Sequence, residues 1–220
     1  MITRFNNKAK FTSCLFDGNI GVETVGALVS YADVTFLSLT HVTNNAAVGG
    51  YAGVTIERGD VIWISDCVFR NNSMVLGGVD ISGQSGRGGG LTVIDARVVR
   101  IFATVFEDNS ARRYGGGLYL DGNNRVLLEN STFRNNRAQY GAALDIYQSR
   151  GSTLEGLVFE DNVATAGGCV SVFECFAVNI TASTFIRNVV LDGFGSAVYA
   201  EYSTISLHDN LFEENRVDWG

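Results

Sequence analysis

Five residues stand out for what their types and spacing can do chemically: Asp80, Tyr119, Asp121, Asp145 and Tyr147. Tyr119 and Asp121 are two apart, as are Asp145 and Tyr147, so on extended chain each pair shares one face. Phenol rings stack on sugars or peptide side chains, and carboxylates accept hydrogen bonds. Hydrolysis of a glycosidic bond needs two carboxylates roughly 5–9.5 Å apart. Asp121 with Asp145, or Asp80 with Asp145, are the candidate pairs. A calcium-dependent lyase would need clustered carboxylates beside a basic residue, and strand alternation puts no basic residue on this face. The reading is a binding face with no catalytic residue assigned. His41 and His208 are too far apart in the chain's organisation to share a metal. Cys14, Cys67, Cys169 and Cys175 have neither C-x-x-C nor zinc spacing and read as buried or half-buried thiols. Residues 83–90 are glycine-rich but lack the Lys-Ser/Thr of a phosphate loop and open no helix. No metal and no cofactor is expected.

The elements that must position these residues follow from a repeat. Phe-x-x-Asn recurs at Phe16, Phe69, Phe106, Phe133, Phe159, Phe185 and Phe212, and Val42 with Asn45 fills the same slot. The steps between these positions are 26, 27, 37, 27, 26, 26 and 27 residues. The long step contains Ser82-Gly83-Gln84-Ser85-Gly86-Arg87-Gly88-Gly89-Gly90, which reads as a loop inserted at residues 82–90. After each Phe-x-x-Asn comes a small-residue cluster and then an alternating strand, as in Gly116-Gly117-Leu118-Tyr119-Leu120-Asp121. A second alternating strand leads into the next Phe. Period-2 alternation means strand, and no helical period is sustained.

A unit this short cannot bury its own apolar face, but stacked copies can. The fold class is therefore all-β, a right-handed parallel β-helix of about eight coils of 26–27 residues, forming one domain over residues 1–220. A one-residue slip would turn every inward side chain outward, so register is strongly specified. Five residues before each Phe the chain reads Phe11, Leu37, Ile64, Ile101, Leu128, Leu154, Ile180 and Leu207, an unbroken apolar row. Asn19, Asn45, Asn72, Asn109, Asn136, Asn162, Asn188 and Asn215 are expected to form a structural amide ladder at a bend. The residue after Phe alternates in charge over Arg70, Glu107, Arg134 and Glu160, which reads as stack stabilisation. Alternation places Thr55, Glu57, Asp80, Ser82, Tyr119, Asp121, Asp145, Tyr147, Ser171, Phe173, Tyr199 and Glu201 outward, on a solvated strand face. Three Asn-x-Ser/Thr sequons occur, at Asn71, Asn130 and Asn179. Asn179 is expected to face out, Asn71 to lie in a turn, and Asn130 to point inward.

Phe106-Glu107-Asp108-Asn109 with Gly115-Gly116-Gly117-Leu118, and Phe159-Glu160-Asp161-Asn162 with Gly167-Gly168-Cys169-Val170, resemble the repeat of the polymorphic outer membrane proteins of chlamydiae. The resemblance covers nearly the whole chain. It implies a surface passenger region acting in adhesion, with a glycan or a surface protein as partner. A carbohydrate-active β-helix enzyme, lyase-like or glycosidase-like, is the alternative.

Composition sets the remaining bounds. The net charge of −7, with Lys8 and Lys10 the only lysines, argues against nucleic acid and against an anionic membrane surface. No apolar run is long enough to span a bilayer, so direct membrane insertion is not expected. The first residues contain no apolar signal core. The 26 glycines and the absence of proline suit ladders that need every backbone donor. The sequence stops where a glycine cluster is due, so the expectation is a piece of a longer extracellular or surface array, with further repeats or another chain covering the open coil ends.

Overall fold

The computed structural model describes residues 2–4, 7–22, 25–74 and 86–218, and within them every regular element is a strand. Three eight-stranded sheets run the length of the molecule, each pairing a strand with its equivalent one coil on. The first sheet comprises Ile2–Arg4, Ala27–Ser30, Val54–Glu57, Leu91–Ile94, Leu118–Asp121, Leu144–Tyr147, Val170–Phe173 and Val198–Glu201. The second runs from Lys8–Thr12 to Ile205–His208, and the third from Leu15–Asp17 to Leu211–Glu213. Smaller sheets of three and four strands follow the third. All pairings are parallel, so the chain is a β-helix.

The Phe-x-x-Asn unit works through its third residue. Phe and Asn are three apart, which on a straight strand would put them on opposite faces. The residue just before each Asn takes a left-handed conformation, as at Asn71 (φ 51), Asp108 (φ 55), Asn135 (φ 54) and Asp161 (φ 53). Asn and Asp tolerate this region better than most residues. The bend returns the Asn to the inside. Phe69, Phe106, Phe133, Phe159 and Phe185 are fully buried, with successive ring centroids 4.6–5.1 Å apart. The Asn136 amide nitrogen donates to Asn162 Oδ1 at 3.0 Å and to the Phe106 carbonyl at 2.9 Å. Its own Oδ1 accepts from the Asn109 amide and backbone N–H, both at 3.1 Å. The amides at Asn45, Asn72, Asn109, Asn162 and Asn188 repeat this, and Asn19 and Asn215 sit at the two ends. Each interior amide is fully satisfied, which is what allows it to be buried.

Outside the bend, Glu107 lies between Arg70 (2.6 Å) and Arg134, and Arg187 reaches Glu160 and Asp161. The last coil lacks a neighbour on one side: Leu207, Leu211 and Phe212 are about half exposed. Cys67, Cys169 and Cys175 are buried free thiols and Cys14 is half-buried. Burial pushes the Cys67 thiol up to about 11, so it is unreactive at neutral pH.

Two local expectations are corrected. Asn130 is exposed, because it occupies the left-handed bend itself (φ 47) and the following Ser131 turns inward instead. The strand in the long coil is Leu91–Ile94, paired with Val54–Glu57 and Leu118–Asp121. The outward positions expected for Asp80 and Ser82 are therefore held by Thr92 and Ile94. Residues 86–90 belong to the regular coil: Gly88, Gly89 and Gly90 donate to the carbonyls of Tyr114, Gly115 and Gly117. Ser73 bridges to Ser110 and Arg87 to Tyr114, so the extra length lies between Ser73 and Arg87. The physical reason is close packing at Gly88 to Gly90. A Cβ at Gly90 would meet the Gly117 carbonyl oxygen at 2.6 Å, so only glycine fits there. Asp80 and the segment Ser82 to Ser85 lie outside the described residues.

Candidate functional site

The outer face of the first sheet is where the predicted residues meet. In-register pairing sets Tyr119 beside Asp145 and Asp121 beside Tyr147. Asp121 and Asp145 are thus diagonal neighbours, with Cα atoms roughly 8 Å apart from strand spacing and rise. One coil further, Ser171 and Phe173 continue the two rows, and then Tyr199 and Glu201.

The face is not the open, solvated surface that alternation suggests. Its second row is partly accessible at Asp121, Tyr147, Phe173 and Glu201. The first row is covered from Thr55 to Ser171: Thr55 and Thr92 are fully buried, and Tyr119, Asp145 and Ser171 are 2–4% exposed, while Tyr199 in the last coil is half-buried. The cover comes from the chain entering each strand. Gly115 (φ 61) and Gly141 (φ 55) adopt left-handed turns that fold the preceding residues back over the strand. A Cβ at Gly115 or Gly141 would lie 2.8 Å from the Cβ of Tyr119 or Asp145, which shows how tightly the turn closes. The turns carry Tyr114 and Tyr140, stacked at 5.6 Å between centroids.

A basic residue also stands here, contrary to expectation. Arg87 lies over the rings of Tyr119 (5.4 Å) and Tyr114 (5.9 Å), and its guanidinium is 3.4 Å from Asp121 Oδ2. Strand alternation missed it because Arg87 belongs to the turn before a strand. Its place in the glycine-rich stretch was visible; the face it covers was not.

Between these elements is a cleft of about 390 Å³. Its rings are Tyr114, Tyr119, Tyr140, Tyr147, Phe173 and Tyr199, and its polar groups are Arg87, Asp145, Ser171 and Glu201. Tyr147 and Phe173 stack at 5.8 Å. The Tyr119 hydroxyl donates to Asp121 Oδ2 at 2.9 Å, and the Tyr199 hydroxyl donates to Glu201. Burial pushes the Asp145 carboxyl up to about 7; the Ser171 hydroxyl bonds it and partly opposes this, and the Asp121 charge adds to it. Burial also raises Asp121, against the Tyr119 hydrogen bond and Arg87. Tyr199 is raised to about 12, first by its bond to Glu201 and then by burial. The arrangement can stack planar or ring-shaped groups and accept hydrogen bonds from them. Among the described residues no group of three or more His, Cys, Asp or Glu is arranged to hold a metal ion.

The model of the right-handed β-helix region matches residues 1–218. The chain belongs to the right-handed β-helix family. No curated protein and no solved structure matches this β-helix at a significant level. The right-handed β-helix occurs both in surface proteins and in pectate-lyase-like enzymes, so membership leaves the activity open.

Proposed function

We propose that this β-helix is a non-enzymatic glycan-recognition module of an extracellular or cell-surface protein, acting in adhesion or as a scaffold. One observation carries the reading: a single cleft on a rigid column lines up Tyr140, Tyr147, Phe173 and Tyr199 with carboxylates at Asp145 and Glu201. Its size suits a small ligand or a short stretch of a longer one. Rings supply flat apolar area for sugar faces, and carboxylates accept hydroxyl hydrogen bonds. The resemblance to the chlamydial surface-protein repeat supports the surface setting and adhesion. On this reading the half-exposed last coil is covered by further repeats or by another chain.

A second reading, a glycoside-cleaving enzyme, is favoured by one feature. Asp145 is held near neutrality with Asp121 diagonal to it, and a raised carboxyl is the usual proton donor to a leaving oxygen. The test is a glycan array probed with the chain and with Tyr147→Ala, followed by an assay for new reducing ends on whichever glycans bind. Binding that is lost in the variant, without cleavage, is the expected result. Release of reducing ends would replace recognition by hydrolysis. An unchanged array pattern in the variant would remove the cleft from the reading.

A further inference from the structure

The charges in the cleft do not balance. Asp145 is 3% exposed, and the hydrogen bond it has is from the neutral Ser171 hydroxyl. Glu201 accepts from the Tyr199 hydroxyl, also neutral. Among the described residues Arg87 is the one cation lining the cleft, and its guanidinium faces Asp121 and the rings of Tyr114 and Tyr119. Among the described residues no salt bridge reaches Asp145 or Glu201. Residues 75–85, which precede Arg87 in the chain, contain no Lys, Arg or His to supply one. A buried carboxylate without a cation is costly, and it is relieved either by taking up a proton or by a paired positive charge. The remaining walls are the faces of Tyr140, Tyr147, Phe173 and Tyr199, the surfaces to which an organic cation is drawn.

From this we infer that the cleft selects a ligand bearing a positively charged nitrogen, namely an amino sugar with a free amine, whose ammonium sits between Asp145, Glu201 and the surrounding rings. The inference rests on the glycan reading and narrows it. The sugar ring would stack on Tyr147 and Phe173, and the ammonium would complete the hydrogen bonding of Asp145. An N-acetylated sugar has the same ring but no charge, and its acetyl oxygen would face a carboxylate.

The experiment is calorimetric titration at pH 7 of the full chain with a tetramer of β-1,4-linked glucosamine, its fully N-acetylated counterpart, and spermidine. The glucosamine tetramer should bind about tenfold more tightly than the acetylated one, the scale expected of a close charge pair. Asp145→Asn keeps the shape and removes the charge, so it should abolish that preference. Glu201→Gln should reduce it, which covers the case in which the Asp145 variant does not fold. Asp209→Asn removes one exposed charge elsewhere and should leave it intact, separating the site from general attraction to an acidic protein. Equal binding of the two tetramers would overturn the ammonium site and leave glycan recognition standing. Binding of spermidine alone would keep the ammonium site and sink the glycan reading. A preference that survives both carboxylate variants, or no binding by any probe, would overturn the inference.

Discussion

The Phe–Asn bend and the outer face of the first sheet are both built from coil-to-coil rows, yet they differ in kind. Along the bend one residue type repeats: Phe in seven of eight coils and Asn in all eight. Each copy does the same job as the next, stacking rings and passing hydrogen bonds along the column. On the outer face the first row reads Thr55, Thr92, Tyr119, Asp145, Ser171, Tyr199, and after the Thr55–Thr92 pair the residue type changes from each coil to the next. In a solenoid a row of identical residues is satisfied by its own copies and needs no partner. From Thr92 onward the row changes type through Tyr119, Asp145, Ser171 and Tyr199 and has no such internal solution, and it is there that a cleft with unpaired carboxyl charge appears. Two buried carboxylates condense the difference. Burial pushes Glu107 up, but Arg134 and Arg70 outweigh it and hold it below the usual range. Burial pushes Asp145 up to about 7, and neither the Ser171 hydrogen bond nor the more distant Arg87 charge outweighs it.

The comparison breaks most visibly at Phe133. Its truncation to alanine should cost about 3–5 kcal/mol in urea unfolding, whereas Phe212→Ala, at a half-exposed end, should cost roughly 1–2 kcal/mol. Equal losses would mean that the rows do not stack cooperatively.

Next in size is Asp145. Its folded pKa lies above its unfolded value, so the folded state holds an extra proton between about pH 4 and 7. Its penalty is absent below that window, grows through it, and is complete above it. Asp145→Asn should therefore match the parent near pH 4 and exceed it at pH 8 by up to about 4 kcal/mol. A constant difference at both pH values would place Asp145 in a different environment.

Asn136→Leu should cost about 1–3 kcal/mol, because it strands the Asn109 amide and the Phe106 carbonyl. The loss should show as faster amide exchange in the two flanking coils. The smallest effect is at Glu107. Its folded pKa is depressed, so its contribution is present above the ordinary carboxylate pKa and is lost as pH falls through the folded value. Glu107→Gln should lower stability at pH 7 by under about 1 kcal/mol, with the arginines half in water and screened. The parent and Glu107→Gln should converge at low pH, where the parent and Asp145→Asn also converge. The two sites thus separate by the sign of their effect at neutral pH.

The sequence alone determined the coil, the rows and the column. Phe, Asn and the apolar slot five residues earlier recur at a fixed step, and each is satisfied by its equivalent in the next coil, so the period carries the packing. The pairing of Tyr119 and Asp121 with Asp145 and Tyr147 was legible on the same ground, since parallel register places equal slots side by side. Tertiary structure alone decided what lies over that face. Gly115 and Gly141 turn left-handed and fold Tyr114 and Tyr140 back across the strands, burying Asp145, which alternation had placed in water. It also decided that Gly88 to Gly90 close onto the next coil, which moves the extra residues upstream and brings Arg87 over Tyr119. Alternation reports only which side of its own strand a residue occupies. Whether that side meets solvent depends on turns and on neighbouring coils, and those contacts exist only once the column is stacked.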